Sequence, residues 1–116
     1  MENRDPRTFL PLAAAQFHIL VALSASDLHG YAIMQAVESS SDGLVKIGPA
    51  TLYGTLKRLV DEGLAEEVTR ALAPGDDPRR RYYRLTGLGR HVCAAEADRL
   101  AALVKVVRAH LNPGLA

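Results

Sequence analysis

The chain has 116 residues, of which 48% are hydrophobic and 23% are charged, and its formal net charge is +1. This composition excludes a mainly disordered protein, and the length leaves room for one small domain with one appended element. A net charge this close to zero does not indicate nucleic-acid binding, so that function would have to rest on local clusters of basic residues.

The cysteine, hydropathy and histidine patterns exclude further classes of protein. The single cysteine, Cys93, excludes an intramolecular disulfide. The first residues lack the apolar core of a signal peptide, and the apolar run over 9–25 is too short for a membrane span, so we expect a cytoplasmic protein. The histidines lack the close spacing of metal ligands: His18, His29, His91 and His110. We therefore expect no metal, no cofactor and no catalytic residue, and the chain is not predicted to be an enzyme.

Two helices are predicted in the first third of the chain. Apolar residues at helical spacing predict a largely buried helix over 12–23, with Pro11 in its first turn. Asp27 is the predicted cap of a second helix over 29–39, and a capping role at the helix start also accounts for His29. A run of serines followed by Asp42 and a glycine is expected to end this helix.

A third helix has clear boundaries in the sequence. A weak alternation over 44–47 first predicts one short strand. Pro49 suits the first position of a helix, because its missing N–H costs nothing there, and Gly63 suits the position just after the last turn. The apolar residues between them form one inward stripe: Leu52, Leu56 and Leu59.

A hairpin and a long helix are predicted for the rest of the chain. The strands are expected over 64–70 and 81–85, and the loop over 71–78 is longer than a tight hairpin needs. Thr86 is the predicted cap of a last helix over 87–111. The predicted order is helix, helix, short strand, helix, hairpin and long helix.

The outward face of the third helix combines small and basic residues. The side chains predicted to point away from the core are Ala50, Gly54, Lys57, Arg58 and Asp61, with Thr51 at the margin. A helix that enters the major groove needs small residues near its start and cations that meet phosphates. Gly54 costs about 1 kcal/mol in a helix interior, which a close approach to DNA would explain. The alternative is an ordinary amphipathic surface helix.

The predicted hairpin carries a run of arginines and tyrosines over 79–84. Strand alternation places Tyr82 and Arg84 on one face and Tyr83 on the other. Arginines at the rim of a hairpin can lie along phosphates or enter a minor groove. The alternative is a solvated charge run that the neighbouring acidic residues over 76–77 neutralise. A basic helix followed directly by an arginine-bearing hairpin is the layout of a winged helix, which favours DNA binding.

Several segments, taken in order, resemble those of one known family. They are His29-Gly30-Tyr31-Ala32-Ile33, Gly48-Pro49-Ala50-Thr51-Leu52-Tyr53, Leu56-Lys57-Arg58-Leu59, Glu62-Gly63-Leu64 and Arg81-Tyr82-Tyr83-Arg84-Leu85-Thr86-Gly87-Leu88-Gly89. At this order and spacing the chain resembles the PadR-like transcriptional regulators, which are winged-helix proteins. The resemblance extends over 12–111 and is closest to the short-tailed branch, which dimerises through a single C-terminal helix.

The resemblance implies roles for particular residues. The helix from Pro49 would be the recognition helix, Tyr53 would contact phosphate, and 79–82 would form the wing. The predicted DNA-binding residues are therefore Pro49, Ala50, Thr51, Tyr53, Gly54, Lys57, Arg58, Arg79, Arg80, Arg81 and Tyr82. The sequence departs from the family pattern in its longer and more apolar wing loop over 71–74 and in its short last helix, which leaves little room for an effector pocket.

The last helix carries an apolar seam at alternating steps of four and three residues, which is typical of helices that pack on each other. The predicted dimer-interface residues are Cys93, Ala97, Leu100, Leu103, Val104, Val107 and Leu111. One small domain does not cover so wide a strip, so we expect an identical helix of a second copy to pack on it. The alternative is packing within the same chain. Burial at this seam is expected to keep the Cys93 thiol inert.

The expected fold is mainly α with a small β-hairpin wing. A winged helix-turn-helix DNA-binding domain is expected over 1–86, with its N-terminal helix also at the dimer interface, and a dimerisation helix over 87–116. The expected function is a sequence-specific repressor that binds a palindromic operator in double-stranded DNA as a homodimer. The alternative is a winged-helix protein-interaction module without DNA readout.

A small aromatic or hydrophobic effector is the expected ligand class if the regulator responds to a small molecule. The residues predicted to face such a space between the subunits are Gln16, Phe17 and His18. The alternative is a fully packed interface.

Overall fold

The computed structural model describes residues 4–69, 75, 77 and 80–112. Its elements are a short 3-10 helix (Pro6–Phe9), α1 (Ala14–Ala25), β1 (Leu28–His29), α2 (Gly30–Ser40), α3 (Pro49–Asp61), β2 (Ala65–Val68), β3 (Tyr82–Leu85) and α4 (Gly87–Leu111). Within the described residues the strands form one antiparallel sheet in the order β1-β3-β2. The mainly α fold with a small β-hairpin wing and a long last helix is confirmed.

The starts of α1 and α2 differ from the prediction. Pro11 lies in the segment before α1 and follows a cis peptide bond, so its predicted place in the first turn is wrong. Asp27 does not cap α2, because the two residues after it pair with β3 and move the helix start to Gly30. The cap is His29, whose Nδ1 accepts a hydrogen bond from the Ala32 N–H at 3.3 Å. The capping role expected for His29 is therefore confirmed.

The short strand lies elsewhere than predicted. Residues 44–47 are not a strand, because a turn at Asp42 and Gly43, both with positive φ, is followed by irregular chain. The observed strand is β1, whose Leu28 and His29 lie opposite Tyr83 and Tyr82 of β3. Two residues are too few to show the alternation by which a strand is predicted from sequence.

The end of α3 follows the sequence prediction. Gly63 has a φ of +80°, a backbone conformation that glycine adopts without strain. The Leu64 N–H donates to the Leu59 carbonyl at 2.9 Å, and the Gly63 N–H donates to the Val60 carbonyl at 3.0 Å. These two bonds form a Schellman motif, which turns the chain directly into β2 and buries Leu64.

The core lies where the helices meet the sheet. α1 packs against α2, α3, α4 and β3, so it is the central helix of the domain. The fully buried apolar side chains are Ile19, Leu20, Leu23, Ile33, Val37, Leu52, Leu56, Leu59, Leu64 and Val92. The predicted inward stripe of α3 is confirmed. α4 packs on this core through its first ten residues, and from residue 101 onward every side chain of α4 is exposed.

The start of α4 is locked onto the backbone between α3 and β2. The Thr86 side chain caps α4 as predicted, because its Oγ1 accepts the Gly89 N–H at 2.9 Å. The same hydroxyl donates to the Gly63 carbonyl at 2.6 Å. Gly89 lies so close to Leu64 that a Cβ at position 89 would overlap the Leu64 carbonyl oxygen. The backbone of α4 at Gly89 is therefore in direct contact with the backbone of the connection between α3 and β2.

The N-terminal segment is tied to the rest of the domain by long-range contacts that no local sequence pattern predicts. The 3-10 helix packs against α4, and the Arg4 guanidinium donates to the Glu62 carbonyl at 2.7 Å. The buried carboxylate of Glu96 accepts the Leu12 N–H at 2.8 Å and a second hydrogen bond from the Arg99 guanidinium. Glu96 therefore joins α4 to the chain just before α1.

We expect Glu96→Gln to lower the free energy of unfolding by about 1–3 kcal/mol at neutral pH, because a buried charged hydrogen bond is lost. Hydrogen bonds from Arg99 and from the Leu12 N–H lower the pKa of Glu96 despite its burial. A lowered folded-state pKa stabilises the protein above the unfolded-state value of about 4.3, and this stabilisation is lost as the pH falls through the folded-state pKa. Urea unfolding of both proteins at several pH values measures the difference.

The difference between wild type and Glu96→Gln should shrink as the pH falls below about 4.3. Asp98→Asn is the control, since Asp98 is an exposed carboxylate on the same helix and its replacement should change stability by less than about 0.5 kcal/mol. A difference between wild type and Glu96→Gln that stays constant down to acid pH would contradict the role of the ionised carboxylate.

Candidate nucleic-acid interface

The outward face of α3 is open to solvent along its length. Its exposed residues include Pro49, Ala50, Thr51, Gly54, Lys57 and Arg58. Among the described residues, nothing lies within 4 Å of the position that a Cβ of Gly54 would occupy. Packing inside the domain therefore does not require a glycine at this position, and the helix backbone is accessible from outside.

Tyr53 stands at the junction of α3 and α2. Its side chain is half exposed, and its hydroxyl lies against the first residue of α2, where a Cβ on Gly30 would overlap it. Tyr53 lines a cleft of about 560 Å³ between the start of α2, α3 and the wing. The cleft also contains Arg80 and Arg81, which are exposed as predicted. The structure thus brings Tyr53 of α3 together with Arg80 and Arg81 of the wing. The smaller residues Ala50, Thr51 and Gly54 instead line a groove between α3 and the start of α1.

The two tyrosines of β3 are buried. Both Tyr82 and Tyr83 are 8% exposed, because β3 is the central strand and is covered on both faces. The Tyr82 ring packs edge-to-face on His29 with 5.3 Å between ring centroids. The contact of Tyr82 with DNA stays a prediction, and only a small part of its side chain is at the surface of the wing. Arg79, the remaining predicted wing residue, lies outside the described residues.

A second cleft, of about 290 Å³, separates α3 from the wing. Its lining residues are Tyr53, Lys57, Val60, Asp61, Glu67, Arg81 and Tyr83. Lys57 Nζ lies 2.8 Å from Asp61 Oδ2, and Arg81 Nη1 lies 3.8 Å from Glu67 Oε2. The hydrogen bond to Asp61 raises the pKa of Lys57, while burial, with Glu67 next, raises the pKa of Tyr83. The basic residues of this surface are thus partnered by carboxylates.

Further ion pairs lie beside this surface. Arg58 Nε is 3.5 Å from Glu62 Oε1, one helical turn along α3. Arg84 Nε is 2.6 Å from Glu66 Oε1 across the β2–β3 pair. Glu62 and Glu66 thus each hold an arginine next to the face predicted to bind DNA.

Of the three predicted effector residues, Gln16 lines a groove beside α1 in the described part of the chain. Gln16 lines a groove of about 330 Å³ between the start of α1 and α3, and its side chain accepts the Ala13 N–H at 3.0 Å. Phe17 and His18 are half-buried and do not line that groove. A space between two subunits that includes all three residues stays a prediction.

The apolar seam of α4 is uncovered in the single chain. Leu103, Val104, Val107 and Leu111 are between 45% and 72% exposed, and Ala97 is exposed. Cys93 and Leu100 are half-buried, and burial raises the pKa of the Cys93 thiol, which disfavours the reactive thiolate. The described residues of one chain therefore do not bury the outer part of this seam, so the alternative of packing within the chain is wrong for it.

The family of this chain is shown by a match to a known family model. The model of the transcriptional regulator PadR-like family matches residues 19–95, which run from α1 into α4. The chain belongs to the PadR-like family. The resemblance inferred from the ordered segments is therefore confirmed, and this PadR-like protein is a transcriptional regulator. Among its described residues, no helix has the length and apolar character to cross a bilayer.

Two curated proteins are similar to this chain in sequence. The PadR-like protein is 35% identical to transcriptional regulator Rv3488 of Mycobacterium tuberculosis over 95 residues, covering 82% of this chain and 83% of that one. It is 39% identical to an uncharacterized 37.1 kDa protein in transposon TN4556 of Streptomyces fradiae over 89 residues, or 77% of this chain. The match spans only 24% of the length of the Streptomyces protein.

Solved structures share the fold. A transcriptional regulator from Clostridium thermocellum has a TM-score of 0.69 and 25% identity, covering 91% of this chain and 93% of that one. The PcaV transcriptional regulator from Streptomyces coelicolor, solved in complex with its natural ligand, has a TM-score of 0.68 and 26% identity, covering 88% of this chain and 64% of that one.

Proposed function

We propose that this PadR-like protein is a homodimeric repressor that binds a palindromic operator through α3 and the wing. The observation that carries the proposal is the exposed face of α3, whose backbone is bare at Gly54 and whose Tyr53 shares a cleft with the exposed Arg80 and Arg81. The helix side of this surface can approach base edges, and the arginine side can reach phosphates.

The residues divide into two roles under this proposal. Ala50, Thr51 and Gly54 lie nearest the bases, because they are small and stand on the exposed first half of α3. Tyr53, whose hydroxyl lies against the start of α2, contacts a phosphate of the DNA. The cations that contact phosphates are Lys57, Arg58, Arg80 and Arg81, together with Arg79 as predicted from the sequence.

The uncovered seam of α4 supports the homodimer. An exposed apolar strip on a projecting helix is typical of an interaction surface, and a second copy offers an identical strip. A two-fold dimer would present two copies of α3 to half-sites about one turn of DNA apart, which suits a palindromic operator.

We also propose that a small aromatic or hydrophobic effector binds between the subunits, near Phe17 and His18. The proposal is supported by the PcaV regulator, a protein of similar fold that was solved in complex with its natural ligand. A ligand with higher affinity for one dimer geometry would shift the spacing of the two DNA-binding surfaces.

One observation favours the second candidate, a protein-interaction module. Asp61 and Glu67 neutralise Lys57 and Arg81 on the face assigned to DNA. Selection of bound fragments from the host genome by the purified protein separates the two candidates. Enrichment of a palindromic sequence supports the repressor, and no binding to any fragment even at low salt favours the interaction module.

Gly54→Ala tests whether the outward face of α3 contacts the bases, with the selected DNA fragments as the ligand. The variant should raise the free energy of unfolding by up to about 1 kcal/mol, because alanine is the better helix former and has room. Operator affinity should nevertheless fall about tenfold or more, because the methyl group separates the helix from the base edges. Urea unfolding measures the gain in stability, and fluorescence anisotropy measures the loss of operator affinity.

Gly87→Ala is the matched control, because it also adds an unhindered methyl group to a helix, away from the DNA-binding surface. It should leave operator affinity unchanged. If Gly54→Ala also leaves the affinity unchanged, the outward face of α3 does not read the bases.

A further inference from the structure

The cleft between α3 and the wing is electrically balanced. Among the described residues that line it, Lys57 pairs with Asp61 and Arg81 pairs with Glu67. The two cations are 77% and 70% exposed, so both can reach a ligand outside the cleft. The carboxylates nevertheless oppose any approach of a polyanion to this part of the surface.

The strand register distinguishes two neighbouring glutamates of β2. Glu67 lies opposite Tyr83, and both residues line the cleft that faces α3. Glu66 lies opposite Arg84, and it points to the other face of the sheet because successive strand residues alternate. Glu66 and Arg84 form an ion pair of their own, at 2.6 Å, which does not line the cleft.

We propose that Asp61 and Glu67 limit sequence-independent DNA binding by holding Lys57 and Arg81 in ion pairs within this cleft. The proposal rests on the proposed function and identifies two specificity-determining residues for it. Sequence-independent affinity comes almost entirely from cations that neutralise phosphates and release counterions. A cation that is held by a carboxylate must first leave it, and the carboxylate then repels the phosphate.

The two kinds of DNA complex respond differently to this cost. On the operator, base-edge contacts made by α3 offset the opening of the two ion pairs. On other DNA no such contacts form, so the opening is not offset and the protein dissociates. The acidic residues thereby make stable binding depend on the base contacts.

The test measures binding to a 30-bp duplex of arbitrary sequence by fluorescence anisotropy across a range of salt concentrations. The double variant with Asp61→Asn and Glu67→Gln should bind about tenfold more tightly at low salt, with a salt slope steeper by up to about 1.8 because two more phosphates are neutralised. Glu66→Gln is the matched control for the single variant Glu67→Gln, since each removes one negative charge from β2, but Glu66→Gln releases neither Lys57 nor Arg81. It should change the affinity less than about twofold and leave the slope unchanged.

A second pair of variants checks that the gain acts through the partner cation. Lys57→Gln combined with Asp61→Asn should show none of the gain of Asp61→Asn alone. Equal gains from Glu66→Gln and Glu67→Gln would overturn the proposal, because net charge alone would then explain them. Unchanged affinity of the double variant, with normal wild-type binding, would also overturn it. If neither the wild type nor the double variant binds any DNA, the proposed function fails as well.

Discussion

Replacing Gly89 with alanine is expected to destabilise the protein by about 3 kcal/mol or to prevent folding, although alanine is the better helix former. A Cβ at this position would overlap the Leu64 carbonyl oxygen and lie 2.8 Å from its carbonyl carbon. The obstacle is backbone, which Thr86 holds in place through hydrogen bonds to the carbonyls of Leu64 and Gly63. Relief would therefore require α4 to move away from the core.

Urea unfolding of Gly89→Ala beside Gly87→Ala measures this effect. Both variants add one methyl group to the first turn of α4, but nothing described lies within 4 Å of a Cβ at position 87. Gly87→Ala should be neutral or stabilising by up to about 1 kcal/mol. Equal stability of the two variants would show that α4 does not pack on the Leu64 backbone as described.

The double variant with Val104→Asp and Val107→Asp is expected to be monomeric and to bind the selected operator at least about 100-fold more weakly, which is about 2.7 kcal/mol. Both valines are nearly half exposed in the single chain, so the substitution should cost the isolated domain little. In the proposed dimer each aspartate would be buried against an apolar helix without a partner charge. Analytical ultracentrifugation measures the loss of the dimer, and fluorescence anisotropy measures the loss of operator affinity.

The control is the double variant with Ala102→Asp and Ala109→Asp, which adds the same charge to α4 at exposed positions on the side away from the seam. It should remain dimeric and bind the operator normally. A dimer that persists in the variant with Val104→Asp and Val107→Asp would place the subunit interface elsewhere on the chain.

Local signals in the sequence were sufficient for most helix boundaries. Pro49 begins α3, Gly63 ends it, and Thr86 caps α4, because each of these effects involves residues within a few positions along the chain. The outward face of α3 follows from helical periodicity alone, which is enough to predict that Ala50, Thr51 and Gly54 lie on it. The uncovered seam of α4 followed in the same way.

The wing was less predictable, because its surroundings come from distant parts of the chain. Alternation assigned Tyr82 and Tyr83 to opposite faces, which is correct. Their burial, however, depends on α1 and α4, which pack against β3, and on β1, which flanks it. The pair of Lys57 and Asp61 can be predicted from the sequence, because the two residues are one helical turn apart. The pair of Arg81 and Glu67 is not, since it requires the register of β2 against β3 across a long loop.

The sequence by itself determined the family, the order of the helices and the basic face of α3, since these depend on motifs and on short-range periodicity. Only the tertiary structure showed that Gly89 touches the Leu64 backbone, that Glu96 holds the chain before α1, and that carboxylates hold the cations beside the wing. These contacts join residues that are far apart in the chain, and no local pattern encodes the distance between them.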